Sequence, residues 1–118
     1  MTFEKGDFLI FQIESGYGLL RVLDVQKDGD GEVIWHILAY DDLFLDVEFA
    51  DMALVNDSQL KVSIAHAALT NRAFLSTQVS KLDNKPIKDN DLQAYTSWQQ
   101  NPNREVSDRS IRLMLGLR

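Results

Sequence analysis

From Asp7 to Glu14 the chain alternates between two apolar faces, with Leu9, Phe11 and Ile13 on one and Phe8, Ile10 and Gln12 on the other, which turns polar toward its end. This pattern predicts a strand. Ser15-Gly16-Tyr17-Gly18 follows, and its two glycines suit a tight hairpin turn into a second strand over Leu19 to Gln26. Lys27-Asp28-Gly29-Asp30-Gly31 punctuates the chain next, and the β-branched and aromatic run from Val33 to Leu38 predicts the third strand of an antiparallel meander. Asp41-Asp42 ends that strand. Further on, Phe44 to Phe49 reads as a short strand, Val62, Ile64 and His66 alternate on a later one, and Phe74 to Leu82 supplies another.

After Lys85-Pro86 the period changes. Asn90 to Gln100 reads as a helix capped by Asn90, with Ala94, Tyr95 and Trp98 on one side and Pro102 beyond its end. A last helix is expected with Ser107 as N-cap, Asp108 in its first turn and Val106 stapled over Ile111. Ile111, Met114 and Leu115 repeat at helical spacing, and Gly116 suits the C-terminal cap. Short strands followed by helices predict an α+β domain. Its core is a strongly bent antiparallel sheet or a small, partly open SH3-like barrel of 5–6 strands, with two C-terminal helices.

The length, 118 residues, suits one domain, so the strand-rich part (1–82) and the helical part (89–118) are expected to share one fold. At 45% hydrophobic and 25% charged residues, the composition is globular. The absence of cysteine removes disulfides, thiolate metal sites and cysteine nucleophiles. Met1-Thr2-Phe3-Glu4-Lys5-Gly6-Asp7 lacks a signal-peptide pattern, and no apolar run reaches the ~18 residues of a membrane helix, so a cytoplasmic protein is expected.

Charge changes the picture more. Residues 1–60 hold thirteen acids against three bases, whereas residues 61–118 hold five acids against nine bases. Asp41, Asp42, Asp46, Glu48 and Asp51 place five acids and no base within eleven residues. As general acid and base such carboxylates need burial or a neighbour that separates their pKa values, and as metal ligands they lack a fixed pattern. As a surface for a cationic partner they need only their sign. The competing reading is a solvated face that pairs with the chain's own basic half.

Other chemistry has less support. Asp28, Asp30 and Glu32 occupy the first ligand positions of a calcium loop, but Val33 stands where its glycine belongs and Ala39 where its glutamate belongs. His36 and His66 are too few for a three-histidine zinc site, and their spacing does not force them together. No serine lies in a Gly-x-Ser-x-Gly elbow, and no phosphate-cradling glycine loop precedes a helix. The net charge of −6 disfavours nucleic acid, leaving Lys81, Lys85 and Lys88 as a local basic patch. No cofactor and no membrane partner are expected. Trp35 and Trp98 suit the core; Tyr17 at a turn tip and Tyr40 at a strand end suit a recognition surface. The candidate partner-binding set is therefore Tyr17, Tyr40, Asp41, Asp42, Asp46 and Glu48.

Lys5-Gly6-Asp7-Phe8-Leu9-Ile10, followed by Gly16-Tyr17-Gly18-Leu19-Leu20-Arg21-Val22-Leu23, resembles the opening of a bacterial polymorphic-toxin immunity family, number twenty-six in that nomenclature. That family pairs a Gly-Asp-x-Phe strand with a Gly-Tyr-Gly turn and an Arg-Val strand. The match covers about the first quarter of the chain and stops at Leu23, and Tudor-like and other SH3-like barrels open similarly. The resemblance implies a non-catalytic cytoplasmic antitoxin that blocks a basic toxin domain through its acidic surface. Two other readings stand beside it: a homodimer in which the acidic sheet of one copy meets the basic helices of another, and a small enzyme or ligand-binding protein.

Overall fold

The computed structural model describes residues 3–117. Five strands, β1 (Asp7–Ile13), β2 (Gly16–Lys27), β3 (Val33–Tyr40), β4 (Val62–Thr70) and β5 (Ser80–Asn84), form one antiparallel sheet in the order β4-β3-β2-β1-β5. The sheet does not close, so β4 and β5 are its edges. Helix α1 (Val47–Ala53) runs into a 3₁₀ segment, Leu54–Gln59; α2 (Asn71–Leu75) lies between β4 and β5. A 3₁₀ turn, Asp89–Leu92, leads into α3 (Gln93–Gln100), and α4 (Ile111–Leu115) is the last element. The α+β class predicted by the periodicity is the one observed.

Strand alternation divides the apolar side chains between the two faces of the sheet. Leu9, Phe11 and Ile13 of β1 join Leu20, Val22, Trp35 and Ile37 beneath Phe74 of α2 and Ile111 of α4. Trp35 and Phe74 stack at 4.0 Å between ring centroids. On the opposite face, Phe8, Leu19, Leu23, Leu38 and Tyr40 pack against Leu54 and Tyr95. Each such side chain, fully buried, contributes about 1.5–3 kcal/mol. Helices therefore cover both sides of the sheet.

Several expectations are corrected by local chemistry. Phe44 to Phe49 is not a strand: Asp46 caps α1 by accepting from the Phe49 amide at 2.9 Å, and Ala50 and Leu54, four residues apart, bury one helical face. The strand expected over Phe74 to Leu82 begins only at Ser80, because Thr70 caps α2 through the Ala73 amide. Asn90 makes no cap, and Ser110 caps α4 in place of Ser107. Ser107 is instead joined to the edge of β4, donating to Ala68 and accepting from Thr70 through its backbone, which removes the basis for a Val106 staple. Gly116 takes the expected left-handed cap, at φ 69°.

The Gly-Tyr-Gly segment also differs from expectation. The hairpin turns at Glu14 and Ser15, and Gly16, Tyr17 and Gly18 already belong to β2. A Cβ on Gly18 would collide with the Phe11 ring opposite, and one on Gly16 with the Phe44 carbonyl. Tyr17 exchanges two backbone hydrogen bonds with Phe44, of 2.8 and 2.9 Å. The glycines thus serve close approach, and the segment they admit is the one that leads into α1.

Candidate functional site

The acidic cluster gathers around α1. Asp41, Asp46, Glu48 and Asp51 are exposed and Asp42 is half-buried, accepting from the Lys61 amide at 2.7 Å. Among the described residues three ion pairs form: Arg21–Asp91, Arg72–Asp108 and Lys81–Asp7. None involves the cluster. No direct ion pair among the described residues thus joins the chain's own bases to these carboxylates, while Lys61 lies beside Asp42 and Lys85 Nζ donates to the Leu54 carbonyl just past α1. Between the acids stand exposed apolar side chains, Phe49 and Met52 foremost.

The two tyrosines separate. Tyr17 is half-buried and borders a groove that also contains Ile10, Val47 and Arg112. Tyr40, expected at the partner surface, is only 6% exposed and stacks on Phe8 at 6.2 Å. Burial pushes its hydroxyl up to about 12, against the lowering effect of nearby Arg21. It is a core residue, because the same face that carries His36 and Leu38 carries Tyr40 under the helices.

Arg21 is the largest of the fully buried side chains among the described residues, 1% exposed, and charge alone gave no sign of it. Its guanidinium lies 4.2 Å from the centre of the Phe8 ring, donates to the Lys85 and Pro86 carbonyls at 2.7 and 3.1 Å, and faces Asp91 at 3.6 Å. It ties the segment before α3 onto the sheet. Nη2 serves both carbonyls while Nη1 faces Asp91, a two-nitrogen arrangement on a planar group that lysine cannot reproduce.

The histidines come together after all. In the β3–β4 register His36 pairs with Ala68, so His66 is its diagonal neighbour on the same face. His36 Nδ1 and His66 Nε2 lie 2.9 Å apart, and His36 Nε2 lies 2.9 Å from Gln26 Oε1. The tautomers that satisfy both bonds have His36 Nε2–H donating to Gln26 and His66 Nε2–H donating to His36. A bulge in β2 between Val22 and Asp24 turns Asp24 to this face beside Leu23, where it accepts from the Tyr95 hydroxyl at 2.6 Å. Tyr95 and Trp98 of α3 cover both imidazoles.

Burial lowers His36 to about 4, outweighing the opposing pull of Asp24, and burial with the neighbouring His36 lowers His66 to about 4. Burial and the Asp24 carboxylate push Tyr95 up, so it remains a donor. His36 is closed to solvent, with both ring nitrogens engaged, and its proton chemistry is internal to the fold. His66 borders a shallow groove of about 320 Å³ beside Trp98 and Glu105.

Comparisons with protein-family models, with curated proteins and with solved structures find no match to this chain. The site is therefore read from its own geometry. Among the described residues no group of three or more His, Asp or Glu side chains is arranged to hold a metal ion, and no helix is long and apolar enough to cross a membrane.

Proposed function

We propose that the protein is a non-catalytic binding domain whose acidic surface around α1 engages a cationic protein, as an immunity protein engages a basic toxin domain. The observation that carries this reading is the absence of any ion pair, among the described residues, between the chain's own bases and Asp41, Asp42, Asp46, Glu48 or Asp51. Carboxylates that form no ion pair with the chain's own bases steer an oppositely charged partner and accelerate encounter. The resemblance of Gly6-Asp7 and Gly16-Tyr17-Gly18 to the immunity family points the same way.

Asp42 and Asp46 also hold backbone amides, so the informative substitutions are Asp41→Asn, Glu48→Gln and Asp51→Asn, made together. With a basic partner captured from the native cell, this triple variant should associate about tenfold more slowly at low salt, with a flatter dependence of rate on ionic strength. An association rate equal to that of the unaltered chain defeats the proposal.

A further inference from the structure

Ten large apolar side chains stand exposed among the described residues, and six of them, Leu43, Leu45, Val47, Phe49, Met52 and Val55, fall within one stretch of thirteen residues. Singly scattered apolar side chains are ordinary on a protein surface; a contiguous set marks a surface that another molecule covers. Along α1 and the start of the 3₁₀ segment that follows it the division is explicit. Ala50 and Leu54 face the core, whereas Phe49, Met52 and Val55, spaced by three, form an outward ridge at 52%, 67% and 87% exposure. Glu48 and Asp51 flank the ridge, and a groove of about 420 Å³ lies beside it between Met52, Val55 and Leu60, with Asp42 on its rim.

We propose that this ridge packs against an apolar helix face bordered by lysine or arginine on a partner protein. The proposal rests on the cationic-partner reading above and adds that apolar burial holds the centre of the contact while charge surrounds it. The chemistry selects the occupant. An anionic lipid surface or a nucleic acid would be repelled by the acids, and a small polyamine would leave the ridge wet. Two copies meeting through this face would bring their acidic clusters together, each without a base in the eleven residues from Asp41 to Asp51. A protein that is both apolar and basic satisfies every group.

The test titrates the isotope-labelled full chain with a synthetic helix that carries leucine at heptad a and d positions between lysines. A peptide of the same composition, shuffled to abolish the apolar stripe, is the control. Amide shifts should concentrate between Leu43 and Gln59, and the shuffled peptide should bind about tenfold more weakly, which corresponds to about 1.4 kcal/mol. Phe49→Ser with Met52→Ser should lose about tenfold in affinity at every salt concentration, whereas Glu48→Gln with Asp51→Asn should lose affinity mainly at low salt. All four side chains are exposed, and the amide spectrum of each variant verifies its fold.

If the serine variant binds like the unaltered chain while the charge variant weakens, the ridge is overturned and the cationic reading survives. The reverse pattern defeats the cationic reading and the basic rim with it. Shifts centred elsewhere, or no binding at millimolar peptide, overturn the proposal outright. A salt-insensitive dimer of the chain that Phe49→Ser dissociates assigns the face to a second copy and overturns it as well.

Discussion

Gly18 shows how much one side chain can decide in this fold. It pairs with Phe11 across the first hairpin, and the Phe11 ring lies where a Cβ at Gly18 would stand. Phe11 is 1% exposed, so the ring has no solvent into which it can retreat. Gly18→Ala should therefore destabilise the protein by about 1–3 kcal/mol, the usual range for overpacking a closed core, as measured by urea denaturation. An equal substitution at Gly29, where a Cβ meets nothing within 4 Å, should leave stability nearly unchanged. If both variants unfold at the same urea concentration, close approach is not why glycine occupies position 18.

At the scale of elements, α3 docks on a pair of neutral histidines, and acid should loosen it. Both folded-state pKa values lie near 4, below the unfolded value of 6.5, so between those limits the unfolded chain takes up as many as two protons that the folded chain refuses. Stability is full above about pH 6.5, falls as the pH drops toward 4, and stops falling on this account below 4. His66→Gln keeps a neutral donor for His36 and removes one titrating group, so it should reduce the slope by about half in denaturation experiments across that window. A slope unchanged by the substitution removes His66 from the account. The histidine pair was not legible in the chain, because contact between His36 and His66 depends on the β3–β4 register, which two bulges in that pairing help to set. The strands β1 to β3 were legible, since their apolar runs lie between turn signals and both faces are buried along most of their length. The segment from Phe44 to Phe49 was not: Phe44, Leu45, Val47 and Phe49 alternate well enough for a strand, and only the Asp46 cap and the four-residue spacing of Ala50 and Leu54 reveal a helix.

At the scale of the whole molecule, the charge split becomes a property of place. Lys81 and Asp7, and Arg21 and Asp91, pair across the two halves, and Arg72 pairs with Asp108 within the second half. None of these contacts engages the acids from Asp41 to Asp51, which are left to repel one another. Tyr40 was misplaced for a related reason: it precedes the acids in sequence, but its strand face points into the core. If repulsion around α1 outweighs the attraction of the ion pairs, added salt should raise the melting temperature. Going from about 10 mM to about 150 mM salt shortens the screening length from about 30 Å to about 8 Å, enough to quench repulsion along an exposed helix while a partly buried pair such as Arg21–Asp91 is screened less. The triple variant Asp41→Asn, Glu48→Gln, Asp51→Asn should melt higher than the unaltered chain at low salt and respond less to added salt. A melting temperature that falls with salt in the unaltered chain means that the ion pairs dominate, and that the carboxylates around α1 are too far apart to form the single charged surface a cationic partner would meet.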